Sequence, residues 1–506
     1  MPAPIILSPG DSVAIVTERA KAGEQPLGSG VALAGPVSPG HKLARVALAK
    51  GDAVTKFGQI IGYATEDIPI GAHVHTHNCA FGAHEQDYQI GVDLEAARAA
   101  IPQMAPRSFQ GYRRQGQVGT RNMIALISTV NCSATVIRRA ADEIMLSGML
   151  KDYPNVDGVV AFTHGTGCAM DVASPGFGNL QRVLWGHATH PNIGAAIFVG
   201  LGCEMMQIAR MKQMFDETGS DRFHGLTIQE TGGTTRTIAR IIDSVKELLP
   251  EVNRARRETV DASELKVALQ CGGSDGFSGI TANPALGVAT DMLVGLGGTG
   301  VLAETPEIYG AEQLLLRRAA SPAVAEKLIE RIRWWEDYTR IHGSSMDNNP
   351  SPGNKAGGLT TILEKSLGAA AKGGSTPLTQ VLDYGAKVTE KGFVFMDSPG
   401  YDPASVTGQI AGGCQLVVFT TGRGSAFGSK PAPTIKLATN DRLYQAMPDD
   451  MDINCGDVVS QGVSLQAKGT EILEKILAVA SGEHSKSEVL NLGDNEFVPW
   501  QIGAVM

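Results

Sequence analysis

Three histidines at alternate positions, in Ala72-His73-Val74-His75-Thr76-His77-Asn78, form a compact set of metal-ligating side chains in a chain with only eleven histidines. On an extended strand, residues two apart share a face. His73, His75 and His77 would then converge on one divalent cation or one anionic substrate. The competing reading is a polar strand face open to water. A second set of residues follows apolar runs of strand length. Ile124–Val130 leads into Asn131-Cys132, Gly158–Phe162 into Thr163-His164-Gly165-Thr166-Gly167-Cys168, and Ala195–Val199 into Gly200-Leu201-Gly202-Cys203-Glu204. Leu265–Leu269 leads into Gln270-Cys271-Gly272-Gly273-Ser274-Asp275-Gly276, and Leu416–Phe419 into Thr420-Thr421-Gly422-Arg423-Gly424. Parallel sheets bind ligands beyond the carboxyl ends of their strands, and glycines there let backbone approach a ligand. Four of the seven cysteines share this placement, as packing thiols or as metal ligands.

Two further glycine-rich segments carry charge. Asn349-Pro350-Ser351-Pro352-Gly353-Asn354-Lys355-Ala356-Gly357-Gly358 precedes a helical stretch, so its amides and Lys355 suit a carboxylate. Arg423 offers a planar guanidinium fork for the same kind of group. For each, the plainer reading is a turn with a solvated charge. Gly295-Leu296-Gly297-Gly298-Thr299-Gly300 has GxGxxG spacing, yet it leaves a helical stretch and enters a strand, the reverse of a dinucleotide site.

These residues need elements to position them. Residues 1–95 read as a small β module of short strands and turns, and 96–110, with Pro102 and Pro106, as a linker. Residues 111–257 and 258–506 alternate buried strands with helical patterns, which predicts two α/β regions with largely parallel sheets. Ser321-Pro322 marks one helix start, and Thr470 with Gly482 brackets another helix. The chain has 506 residues, enough for two or three domains, with 43% hydrophobic residues and 61 glycines. A net charge of -9 without a basic stripe argues against nucleic acid, and no apolar run approaches a membrane span. No signal segment is read in Met1–Gly10 and no CxxC pair is present, so a reducing cytoplasmic setting is expected.

The motifs Gly40-His41-Lys42, HVHTHN, HGTGC at His164–Cys168, GLGCE at Gly200–Glu204, CGGSDGFSGITANP at Cys271–Pro284, NPSPGNKAGG at Asn349–Gly358 and FTTGRG at Phe419–Gly424 run through the whole chain. Together they resemble the altronate/galactarate dehydratase family, and HVHTHN with KAGGLTTILEKSLG is nearer its altronate branch. Thr166 is a departure, since a tyrosine precedes the matching glycine in the enzymes compared. The resemblance implies an N-terminal SAF-type (β-clip-like) module and dependence on a divalent metal, Fe²⁺ or Mn²⁺. It also implies elimination of water from a hexonate or hexarate to give a 2-keto-3-deoxy acid.

On this reading His164 and Lys355 are catalytic. Ser274, Asp275, Asn354, Thr421 and Arg423 bind substrate, and His73, His75, His77, Cys168 and Glu204 bind the metal. An iron–sulfur cluster on Cys132, Cys168, Cys203 and Cys271 is the rival cofactor. A galactarate dehydratase, a sulfo-lyase acting on a sulfonated hydroxy acid and a non-catalytic sugar-acid binding protein are the rival functions. A homo-oligomer acting on a free sugar acid, without nucleic acid or membrane, completes the expectation.

Overall fold

The computed structural model describes residues 4–82, 88–217 and 223–503, with the side chains of 214–217 left aside. Residues 1–3 and 83–87 of the 1–95 module, 218–222 of the 111–257 region and 504–506 of the 258–506 region therefore lie outside it. The N-terminal module is built of β1 (Val13–Ile15), β2 (Lys42–Ala44), β3 (Ala53–Lys56), β4 (Gln59–Ala64), β5 (His73–Val74) and β6 (Cys79–Ala80). They form two antiparallel three-stranded sheets, β1-β2-β5 and β3-β4-β6. The segment read as a linker holds most of a short helix, Leu94–Ala99, and the start of β7 (Ser108–Arg114). With β8 (Gln117–Gly119), β7 belongs to a third antiparallel sheet that joins the two larger units.

The middle unit is a parallel sheet in the order β10-β9-β11-β12, from β9 (Met123–Ser128), β10 (Gly158–Phe162), β11 (Ile193–Gly200) and β12 (Phe223–Thr227). Helices such as Asn131–Ser147, Pro175–Ala188 and Thr234–Val252 supply the apolar residues that cover it. Burial on both faces explains why its strands read as continuous apolar runs.

Beyond β13 (Glu258–Asp261), which pairs with β7, the C-terminal unit is a seven-stranded parallel sheet. Its members are β14 (Lys266–Cys271), β15 (Thr299–Ala303), β16 (Leu378–Leu382), β17 (Gly392–Met396), β18 (Leu416–Thr421), β19 (Thr434–Ala438) and β20 (Ile453–Asn454). Their order is β16-β17-β15-β14-β18-β19-β20. The chain moves outward from β14 on one side and returns as β18 on the other. The carboxyl ends of β14 and β18 are thus the switch point where a ligand crevice opens. The glycine-rich Gly295–Gly300 segment runs from the helix Ala282–Gly295 into β15, as its sequence context requires.

Helix punctuation follows the expected chemistry at one site and shifts at the other. The Ser321 side chain accepts from the Val324 N–H and opens Pro322–Ile341. The helix expected at Thr470 begins earlier: Ser464 caps Leu465–Ala480, and the Thr470 hydroxyl donates back to the Gln466 carbonyl. Among the described residues no helix is long and apolar enough to cross a membrane.

The N-terminal module docks on the C-terminal unit through buried charge. Lys42 and Lys56 donate to the two oxygens of Glu364, at 2.7 and 2.8 Å, on the helix Ile362–Ala371. Lys42 also donates to the Gly358 carbonyl, and Thr360 supplies two more donors to Glu364. Burial alone would raise the Glu364 carboxyl, but the two ammonium groups hold it far below the ordinary carboxylate range. Ser12–Lys56 and Asn349–Ala371 are thereby fixed against each other.

Candidate metal centre and substrate cleft

His73 stands on β5, and His75 and His77 lie in the turn that follows, not on one strand face. Asn78 makes that turn: its Oδ1 accepts from the His75 N–H and its Nδ2 donates to the His73 carbonyl. The rings still gather. His73 and His75 stack with centroids 5.5 Å apart, and His77, exposed, sits 5.5 Å from His73. A fourth ring joins them from β2's leading edge. His41 Nδ1 is 3.1 Å from His73 Nε2, and its ring is 4.8 Å from that of His75. Ligand nitrogens of His41, His73 and His75 all lie within 4.8 Å of one another.

Three observations fit this set to a divalent ion. Burial, reinforced by mutual repulsion, lowers His73 to about 3 and His75 to about 4, and burial lowers His41 as well. Neutral imidazoles keep a lone pair for a metal. Nδ1 of His75 is buried without a hydrogen-bond partner among the described residues, a valence the protein leaves open. Imidazole also suits Fe²⁺ among the first-row ions.

Two turns from the C-terminal unit press against this cluster. His41 Nε2 faces the Ala356 carbonyl at 3.3 Å. Gly276 donates to the Gly357 carbonyl at 2.8 Å, and a Cβ on Gly276 would sit 2.0 Å from the Gly40 oxygen, so only glycine fits. Asn354 latches the turns together: its Nδ2 donates to the Ser274 carbonyl, while its Oδ1 and N–H complete a capping box with Ser351. Asp275 is buried and accepts from Ser278, Thr439 and Asn440. The Thr421 hydroxyl accepts from the Gly424 N–H. Of the four residues expected on the substrate, Asn354, Asp275 and Thr421 make these contacts through side chains and Ser274 through its carbonyl, and Asp275 also lines the cleft described next.

Arg423 is different. Its backbone N–H donates to the Gly273 carbonyl at 2.9 Å, but its exposed guanidinium has no hydrogen bond or ion pair among the described residues and lines a cavity of about 500 Å³ with Asp275, Ala356, Gly357, Asn440 and Arg442. Arg442 is equally unpaired, and the sequence reading missed it. Lys355 is half-buried and precedes Ala356 in the chain, but it is not among the residues that line this cavity. A smaller cavity of about 300 Å³ reaches His73 and His77 from the other side.

The structure does not bring the remaining candidates here. His164, Glu204 and Cys168 belong to the middle unit. His164 is buried, with Nε2 donating to the Ser128 carbonyl and Nδ1 accepting from Thr166, at 2.9 Å each. Burial lowers it to about 4. It lines a separate cavity of about 600 Å³ with Asn131, Arg138, Thr163 and Phe497. Glu204 is buried and accepts from Thr129 and from the Gly202 N–H. The four cysteines of the rival cluster are divided. Cys132, Cys168 and Cys203 follow β9, β10 and β11 and are exposed, whereas Cys271 is buried at the end of β14.

Around Cys271 lies a set that sequence reasoning missed. Lys372 Nζ is 2.8 Å from its sulfur, and the thiol points at Glu307 Oε2, 3.6 Å away. Lys365 pairs with Glu307 at 2.7 Å, and Glu304 and Asp402 complete the group. The signal was available: Glu304 directly follows β15, as His164 and Cys203 follow their strands.

Three family models match the chain: "Altronate/galactarate dehydratase SAF domain" over residues 2–81, "D-galactarate dehydratase/Altronate hydrolase, second domain" over 111–253, and "D-galactarate/Altronate dehydratase, C-terminal" over 262–505. Among curated relatives, an altronate dehydratase of Bacillus subtilis (strain 168) is 36% identical over 463 residues, covering 90% of each chain. An altronate dehydratase of Escherichia coli (strain K12) is 36% identical over 460 residues, again 90% of each. The galactarate dehydratase (L-threo-forming) of the same organism is 34% identical over 487 residues, 94% of this chain and 92% of the relative.

Proposed function

The chain belongs to the altronate/galactarate dehydratase family, and from that premise we propose that it is a sugar-acid dehydratase. It converts a hexonate such as D-altronate to a 2-keto-3-deoxy acid, with Fe²⁺ or Mn²⁺ held by His41, His73 and His75. The observation that carries this reading is the seam itself. Neutral imidazoles with one open valence meet two turns from the C-terminal unit, beside a cleft that holds unpaired guanidinium groups.

Elimination from a 2,3-dihydroxy acid must remove a weakly acidic proton from C2 and expel a poor leaving group from C3. A bound divalent cation supplies Lewis-acid stabilisation of the charge that gathers on the carboxylate side and on the departing oxygen. Arg423 holds the carboxylate through paired N–H donors. Lys355, on a five-residue helix locked by the Ser351–Asn354 capping box and next in the chain to the cleft-lining Ala356, is the acid–base group of this reading. Asp275, Ser274, Asn354 and Thr421 keep the turns in register, so the donors arrive already oriented. Seven free cysteines suit a reducing cytoplasmic setting.

Arg442 favours a second reading, a hexarate substrate, because a second guanidinium gives a distal carboxylate its own partner. A panel of aldonates and aldarates, offered to chelator-treated protein with Fe²⁺, Mn²⁺ or Mg²⁺, separates the readings. Keto-acid formation from altronate with Fe²⁺ or Mn²⁺ supports the first, and from galactarate the second. Binding without any keto acid, or sulfite release from sulfolactate in its place, overturns both.

A further inference from the structure

The set around Cys271 has properties that the reaction above does not use. Cys271 ends β14, Glu304 and Glu307 follow β15, and Asp402 opens the helix Asp402–Ala411. Lys365 and Lys372 reach in from the helix Ile362–Ala371 and its carboxyl end. With every group ionised, four negative charges face two positive ones, an excess that one divalent cation would cancel. Glu304 is 1% exposed, yet neither carboxylate oxygen has a hydrogen-bond partner among the described residues. A buried carboxylate without donors needs a proton or an ion. Its backbone is also unusual, with φ +73° and ψ +73°, in the left-handed region that a residue with a Cβ avoids.

The spacing fits a small ion. A tetrahedral centre at ordinary bond lengths separates a thiolate sulfur from a carboxylate oxygen by about 3.6 Å. Sγ of Cys271 and Oε2 of Glu307 are 3.6 Å apart. Donor atoms of Cys271, Glu304 and Glu307 all lie within 4.8 Å of one another.

We propose that Cys271, Glu304 and Glu307 bind a second divalent cation of borderline softness, of the zinc or ferrous class, buried in the C-terminal unit apart from the histidine cluster. A thiolate beside carboxylates selects such an ion over Mg²⁺ or Ca²⁺. The thiol releases one proton to solvent as the sulfur–metal bond forms. Lys372 and Lys365 remain as counter-charges at Cys271 and Glu307, and the unpartnered oxygens of Glu304 gain their ligand. The inference does not rest on the histidine cluster being the catalytic centre.

Cobalt reports it directly. The full chain is stripped with a chelator under reducing conditions and reloaded with Co²⁺. Its metal content per chain and its near-ultraviolet thiolate-to-cobalt absorption are then recorded. Wild type should take up two equivalents and show the band. Cys271→Ser should lose one equivalent and the band, whereas His73→Ala should lose the other equivalent and keep it. Should Cys271→Ser fail to fold, Glu304→Gln, which keeps size and shape, reads the same lost equivalent. A wild-type protein without the band overturns the proposal. So does a band that survives in Cys271→Ser, or uptake of a single ion that His73→Ala abolishes.

Discussion

The middle unit and the seam between the outer units both collect histidine beside glycine-rich turns, yet they differ in how their polar groups are satisfied. In the middle unit, His164 spends both ring nitrogens on Ser128 and Thr166, and Glu204 is held by Thr129 and Gly202. At the seam, among the described residues, His75 keeps a buried nitrogen unpartnered, and Arg423 and Arg442 line a cleft with neither guanidinium in an ion pair. A buried polar group that has found its partner stabilises a fold, and one that has not needs an explanation, of which a ligand is one. Residue type and strand-end position are common to both regions. The open valence separates them.

The largest test of that contrast is Glu364→Gln. It leaves Lys42 and Lys56 buried against a neutral amide, and breaking a buried ion pair costs about 3–5 kcal/mol. Urea denaturation should show that loss together with loss of turnover, because the seam loses its anchor. Next, Arg423→Met should lower kcat/KM by about a hundredfold, roughly 2.7 kcal/mol, and mostly through KM, as expected of a carboxylate holder. A normal KM would move the substrate elsewhere.

His164→Asn should lower stability by about 1–3 kcal/mol through its lost hydrogen bonds, while turnover stays within about threefold of wild type. Collapse of turnover in a folded, metal-replete His164→Asn protein would invert the comparison. The smallest effect concerns pH. Burial lowers His187 to about 3 and His190 well below the ordinary range, so both are neutral in the folded protein. The unfolded chain takes up protons at these positions below about pH 6.5 and the folded chain refuses them. Stability is therefore intact above that pH and falls as pH drops toward 3. His187→Gln should flatten the decline of Tm measured between about pH 6.5 and 4.

Much of the fold was legible because the central strands of both parallel sheets are buried on two faces and read as apolar runs. Even the edge strand Gly158–Phe162, which is also apolar, is read with the same ends the structure shows. β16 and β19 were not, since Thr379 and Gln380 interrupt one and Lys436 the other. Lys436 is tolerated inside because its ammonium reaches the Ser425 carbonyl and Asp450. In the candidate site, the spacing of His73, His75 and His77 predicts that the rings gather, as they do, but on a strand face, whereas a turn closed by Asn78 gathers them. His41 lies 32 residues before His73 in the chain, so only the pairing of β2 with β5 brings it there. Glu304 and Glu307 look like ordinary acidic residues until parallel strands align them with Cys271.

The contorted main chain at Glu304 has an evolutionary consequence. Glycine adopts that conformation freely, so replacing Glu304 by glycine would relieve both the bent backbone and the stranded carboxylate. A library of variants screened for heat tolerance alone should therefore lose this side chain early, whereas lineages that must keep working should hold it at a standing thermodynamic disadvantage. Sequencing survivors from the two regimes would measure how strongly usefulness opposes robustness at a single position.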